Sequence, residues 1–211
     1  MATISNVNGK KITKIKYKGE IFDTGGGTDW LKEYLDETKD ASGLFCGYAG
    51  IGETTRANHL TYEILQNVLK YDTTSSVTKM YGMFYYCRAL TSTPTINTNL
   101  VTAMGSMFAY CYNLTTIDIT HMCSLENNYF ARNCYSLTKL IIRNMPTIPA
   151  LSSSAFNNCY HFTGTTDADY NPQGLKDGRI YVPDDKVDAL KTTKNWSKYA
   201  DIIVPLSTLQ E

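Results

Sequence analysis

The chain of 211 residues has no excess of charge of either sign: 20 Lys and Arg stand against 20 Asp and Glu. A neutral chain has no bulk attraction for nucleic acid or an anionic membrane surface. Charged residues are scarce at 19%, and polarity comes instead from sixteen Tyr and many Thr and Asn. No apolar run is long enough to form a membrane-spanning helix. The first residues, Met1-Ala2-Thr3-Ile4-Ser5-Asn6, lack a basic stretch followed by an apolar one, and Leu206 to Glu211 carries no lipidation box or wall-anchor tail. The expectation is synthesis in the cytoplasm without a secretory signal.

The motifs of catalysis and metal binding are also missing. There is no Gly-x-Ser-x-Gly, no His-Glu-x-x-His and no phosphate-binding loop, and His59, His121 and His161 fall in no catalytic frame. Gly25 to Gly27 lacks the Lys-Ser/Thr that a nucleotide loop requires. The six cysteines form no Cys-x-x-Cys pair, which argues against zinc. Asp167-Ala168-Asp169-Tyr170-Asn171 alternates oxygen ligands as a calcium loop does. However, Pro172 stands where Gly is needed and Gly178 where the closing Glu belongs, so a turn is expected. No catalytic residue, metal or cofactor is predicted.

What the sequence does have is a repeat. Met83-Phe84-Tyr85-Tyr86-Cys87-Arg88-Ala89-Leu90-Thr91 aligns with Met107-Phe108-Ala109-Tyr110-Cys111-Tyr112-Asn113-Leu114-Thr115. Phe130-Ala131-Arg132-Asn133-Cys134-Tyr135-Ser136-Leu137-Thr138 and Ala155-Phe156-Asn157-Asn158-Cys159-Tyr160-His161-Phe162-Thr163 follow the same pattern. The cysteines recur after 24, 23 and 25 residues, and Val77-Thr78-Lys79-Met80 matches Val101-Thr102-Ala103-Met104 at the same offset. A fainter copy, Ala41 to Ile51, precedes them, with an insertion around Glu53 to Leu69.

A unit of two dozen residues cannot bury its apolar side alone, so units stack around one shared core. Met80, Met83, Phe84 and Cys87 have helical spacing and predict a short helix or 3₁₀ turn in each coil. Leu114 to Ile119 and Leu137 to Ile142 alternate and predict strands of a parallel ladder. Phe, Cys and Leu are expected to point inward, each large one contributing about 1.5–3 kcal/mol on full burial.

The pattern Val-Thr-x-Met-x-x-Met-Phe-x-x-Cys-x-x-Leu-Thr resembles the BspA-like leucine-rich-repeat proteins of bacteria and their prophages, over roughly residues 41–165. Gly178 to Asp185 and Asn195 to Ala200 look like the terminal capping segment common in that family. The third and fourth repeats depart by losing the Met. The resemblance implies a leucine-rich-repeat-like α/β solenoid and a surface-exposed interaction module, with no catalytic residues to carry over.

The ends read differently. Residues 4–22 suggest a β-meander turning at Asn8-Gly9 and Lys18-Gly19, and Thr28-Asp29 starts a helix over Trp30 to Thr38. Val182-Pro183-Asp184-Asp185 begins a helix carrying Val187, Leu190 and Trp196. The expected organisation is a meander or docking segment over 1–24, a linker and capping helix over 25–40, the solenoid over 41–165 and a C-terminal cap over 166–211. Lys10, Lys11, Lys14, Lys16 and Lys18 fit lysines guarding a strand edge, without the aromatic interleaving of a nucleic-acid site.

Two columns run through the repeats. Thr91, Thr115, Thr138 and Thr163 start the strands and suggest cross-strand hydroxyl packing. Tyr112, Tyr135 and Tyr160 follow the Cys, while Tyr86 and Tyr110 precede it. Stacking turns such columns into ribbons. They either recognise a protein or glycan or simply cover the helical side. The cysteines themselves are expected to be buried thiols, since equivalent side chains in a stack project in parallel and do not converge on a bridge.

These readings predict a non-enzymatic protein that presents a repeat surface containing Tyr86, Tyr110, Tyr112, Tyr135 and Tyr160. The BspA-like repeat, the missing signal and the meander suggest a phage or prophage virion subunit of tail, baseplate or fibre, made in the host cytoplasm and released by lysis. Its partners would be other virion proteins or a host-surface protein or glycan, with homo-oligomers plausible. The alternative is an adhesin on the bacterial surface. A wall-degrading enzyme ranks behind both.

Overall fold

The structure is a computed structural model that describes residues 3–4, 14–17, 20–23, 29–46, 62, 65–66, 69–125, 128–164 and 176–210. Near the N-terminus, β1 (Thr3–Ile4), β2 (Lys14–Tyr17) and β3 (Glu20–Asp23) form an antiparallel sheet in that order. The expected meander is present, although Asn8-Gly9, Lys18-Gly19 and Gly25 to Gly27 lie outside the described residues. The edge-strand explanation of the lysines fails at Lys16. It sits on the middle strand and pairs with both Thr3 and Ile21. Lys10, Lys11 and Lys18 also lie outside the described residues.

Helix α1 (Asp29–Thr38) follows, burying Leu31 and Leu35 while Lys32 and Asp36 pair one turn apart at 2.7 Å. Beyond it lies a repeat α/β fold with a parallel four-stranded sheet, ordered β4 (Thr116–His121), β5 (Lys139–Asn144), β6 (Arg179–Val182) and β7 (Ile203–Pro205). Thr116 pairs with Lys139 and Ile117 with Leu140, the same 23-residue step that separates Cys111 from Cys134. Parallel bridges at Ser92 with Thr116 and Ile96 with Ile119 extend the ladder into the preceding repeat. Strands β4 and β5 begin two residues later than the alternation predicts. The Leu114 and Leu137 amides turn back to the carbonyls of Cys111 and Cys134, which keeps both leucines in a turn. Strands β6 and β7 extend the sheet from the C-terminal segment, where no repeat is visible.

Between Met80 and Cys87 no helix forms. The odd-numbered amides bond within the coil, Met83 to Met80, Tyr85 to Gly82 and Cys87 to Phe84. The even-numbered ones, from Met80 to Tyr86, bond to Ala103, Gly105, Met107 and Ala109 of the next coil. This is a ribbon of consecutive turns, each amide alternating between its own coil and its neighbour. The spacing suggested a helix because both conformations place residues three apart on one side.

Ala41 to Phe45 joins the same ribbon through bonds to Lys79, Tyr81 and Met83, so the faint first copy is a repeat as far as Cys46. Its remainder, Gly47 to Ile51, lies outside the described residues.

The core is continuous. Phe45, Phe84 and Phe108 stack at 5.4 and 5.1 Å, and Phe130, Phe156 and Phe162 continue the column edge to face. Leu90, Leu114 and Leu137 are fully buried beside them. At the C-terminal end, helix α3 (Val187–Thr192) follows a 3₁₀ turn at Asp184–Lys186, and α2 is the four-residue helix Tyr160–Thr163. Leu190 is buried on α3, but Trp196, expected on the same helix, lies beyond its end in a separate 3₁₀ turn (Trp196–Tyr199). There it is buried, with its indole donating to the Pro149 carbonyl at 2.8 Å and Tyr199 lying edge-on to Phe156. On the sheet, the nearly buried Asp118 receives both arms of the Arg143 guanidinium at 2.9 and 2.7 Å and the Thr95 hydroxyl at 2.9 Å.

Candidate functional site

The residue before each repeat cysteine has left-handed backbone: Tyr86 (φ 63°), Tyr110 (φ 66°), Asn133 (φ 62°) and Asn158 (φ 61°). Asn tolerates this conformation far better than Tyr does. The last two repeats therefore hold it at low cost, and the Asn158 side-chain amide donates a 2.6 Å bond to Asn133 Oδ1. In the first two repeats the ribbon imposes it on tyrosine.

Each cysteine after this kink is fully buried and gives its thiol hydrogen to a carbonyl one coil earlier. Cys87 donates to Phe45 at 2.9 Å, Cys111 to Phe84 at 3.0 Å, Cys134 to Phe108 at 3.0 Å and Cys159 to Ala131 at 2.9 Å. None of the six cysteines is in a disulfide; the four repeat cysteines are buried as expected, whereas Cys46 and Cys123 are only half-buried, against the expectation of full burial. Burial pushes the Cys111 and Cys134 thiols well above the ordinary range, and burial also raises Cys123. Such thiols remain protonated donors and poor nucleophiles.

The tyrosines on either side of the cysteines meet as one assembly. Tyr86 and Tyr110 stack at 4.5 Å, Tyr112 and Tyr135 at 5.0 Å, and Tyr135 and Tyr160 at 5.3 Å. Tyr112 joins the two columns edge-on, 6.4 Å from Tyr86 and 6.3 Å from Tyr110. All five predicted residues thus lie in a single chain of ring contacts across four repeats. The rings are half-buried except Tyr135, which is 37% exposed. Burial raises the Tyr86 and Tyr135 phenols, with neighbouring phenols adding to it. Each ring pair contributes about 0.5–1.5 kcal/mol beyond its buried area.

Three further features escape a reading by columns alone. Arg88 occupies the position of Tyr112, Tyr135 and Tyr160 in its own repeat, and its guanidinium lies 5.3 Å from the Tyr86 ring and 5.0 Å from the Tyr112 ring. Tyr85 lies edge-on to Tyr86 and Tyr110 at 4.9 and 5.4 Å. A groove of about 540 Å³ opens beside the assembly, lined in part by Tyr81, Tyr85, Tyr110, Tyr129 and Arg132. Arg132 sits 4.8 Å from the centre of the Tyr129 ring, and its buried Nε is the one buried side-chain polar atom without a hydrogen-bond partner among the described residues. An unmet buried donor costs about 1–3 kcal/mol, more when it is charged.

The threonine column is structural, through its hydroxyls. Thr115 and Thr138 donate to the Thr91 and Thr115 carbonyls at 2.8 and 3.2 Å, whereas Thr163 bonds Cys159 of its own coil. Of the histidines, His161 meets Asp177 at 2.6 Å, a contact that holds the Asp177 carboxyl below its usual range, and His121 is half-buried on β4. The thiol nearest His161 in sequence, Cys159, is engaged with Ala131. His59 and the calcium-like Asp167 to Asn171 lie outside the described residues. Among the described residues no three His, Cys, Asp or Glu side chains come together as a metal site, and no helix is long and apolar enough to cross a membrane.

A repeat α/β fold with an in-register parallel ladder defines the class. Residues 62–163 match a family model described as the BspA type leucine rich repeat region, in six copies. No curated protein and no solved structure matches the chain. The match bears out the repeat resemblance, and repeats of this type are typically non-enzymatic interaction or surface modules.

Proposed function

We propose that the chain is a solenoid closed by α1 at one end and by the segment around Leu190 and Trp196 at the other, and that it works without catalysis by presenting its tyrosine assembly to a macromolecular partner. The observation that carries this reading is the unbroken contact chain Tyr86–Tyr110–Tyr112–Tyr135–Tyr160, which combines half-exposed rings with polar tips on a stiff ladder. Tyrosine supplies large contact area at a low entropic cost, and neighbouring rings hold each rotamer before a partner arrives. Arg88 supplies a cation at the head of the column.

Of the two settings suggested by the sequence, the repeat match favours a bacterial surface module. A place on a phage particle has no comparable support. Binding of labelled protein to envelopes of the source organism, and to particles from an induced culture, tests both. Wild type should bind envelopes, and Tyr112→Ala with Tyr135→Ala should weaken that binding at least about tenfold. Binding to particles alone would restore the virion setting. Equal binding by the double variant would remove the tyrosines from the surface in use.

A further inference from the structure

The groove beside the tyrosine assembly has features that a general covering role leaves unexplained. It is concave, and its volume of about 540 Å³ falls within the range of pockets that enclose small ligands. Four tyrosines contribute to its wall, and Tyr81 and Tyr129 are among the exposed large hydrophobic side chains of the described residues, at 56% and 43%. Among the described residues that line it none is acidic, and Arg132 is the one formal charge. The buried Arg132 Nε has no acceptor among the described residues, and the guanidinium lies against the Tyr129 ring. A guanidinium held over a ring keeps its in-plane N–H donors for an acceptor at its edge, and their fork fits a carboxylate with two parallel bonds.

From these observations we infer that the groove is a binding site for a carboxylated sugar, a hexuronic or sialic acid unit of a glycan. Its carboxylate pairs with Arg132, and its C–H face rests on the Tyr81 or Tyr129 ring. A pyranose offers an apolar face to an aromatic ring and hydroxyls to phenolic and seryl oxygens such as those of Tyr110 and Ser106, both in the lining. A neutral sugar would leave the arginine unmatched. A peptide carboxylate would meet the charge but not the flat, hydroxyl-rich wall. The groove shares Tyr110 with the stacked assembly, and its ligand does not depend on that assembly binding a partner.

The test is saturation-transfer NMR and titration of the full chain with D-glucuronic acid and N-acetylneuraminic acid, with D-glucose and the glucuronic acid methyl ester as neutral counterparts. The acids should bind and the neutral sugars should bind at least about tenfold more weakly. Arg132→Gln should abolish the preference for the acids, and Arg132→Lys should retain part of it because charge survives without the fork. Tyr129→Ala should weaken both acids, with melting curves reported for each variant. Tyr160→Ala, at the end of the assembly away from the groove lining, should leave sugar binding unchanged, which separates this site from the proposed docking surface. Equal binding of acids and neutral sugars, an unchanged preference in folded Arg132→Gln, or no binding of either acid would overturn the inference.

Discussion

The Cys134 thiol donates to the Phe108 carbonyl at 3.0 Å, across the boundary between two repeats. That carbonyl already accepts the Cys111 amide within its own coil, so the thiol fills its second lone pair. The same relationship recurs at Cys111 and Cys159, and the Cys87 thiol likewise donates to the Phe45 carbonyl one coil earlier. The repeated cysteine is thus a small core residue with a weak donor aimed between coils.

Replacing it by alanine removes the donor and leaves a small void. Cys134→Ala should lower unfolding stability by about 1–3 kcal/mol in urea titration, the range for buried truncations of this size. A loss indistinguishable from zero would show that the thiol contact contributes nothing.

Burial and raised thiol pKa together predict a reactivity order. At about pH 8 a disulfide reagent should leave Cys87, Cys111, Cys134 and Cys159 unmodified until the protein unfolds. The half-buried Cys46 should react in the native state, and Cys123, with its raised pKa, more slowly than an open thiol. Mass spectrometry of labelled peptides reads this directly.

The left-handed column gives a backbone prediction. Asn133→Ala should destabilise by about 1–2 kcal/mol, since alanine tolerates φ 62° poorly and the bond from Asn158 is lost. Asn133→Gly should cost less, because glycine accepts that conformation freely. A glycine variant as unstable as the alanine one would locate the effect in the side-chain bond alone.

High pH should weaken the fold. Folding raises the Cys111 and Cys134 thiols above 9.0 and the Tyr86, Tyr135 and Tyr199 phenols above 10.0, by burial in each case. The folded state therefore holds these protons longer than the unfolded chain. Their contribution is complete below the unfolded values and falls as pH rises past them. Urea midpoints should be lower at about pH 10.5 than at about pH 8. Equal midpoints would contradict the burial of these groups.

Much of this was legible in the sequence because an in-register ladder must repeat its inward side chains at one spacing. That requirement exposed the Phe, Cys and Leu columns and the five tyrosines that meet. The turn ribbon was hidden, since Met80, Met83, Phe84 and Cys87 suit a helix equally well, and the left-handed kinks at Tyr86 and Tyr110 carry no glycine to announce them. Strands β6 and β7 follow a break in the repeat, so no column points to them. Arg88 and Arg132 are single occupants of their positions, and only their ring contacts reveal them.

The most direct measurement is hydroxyl-radical footprinting of the protein bound to envelopes of the source organism. The account predicts protection at Tyr112, Tyr135 and Tyr160, with Tyr71, 54% exposed and outside the assembly, labelled as in the free protein. Protection at Tyr71 with the stacked rings still labelled would contradict it.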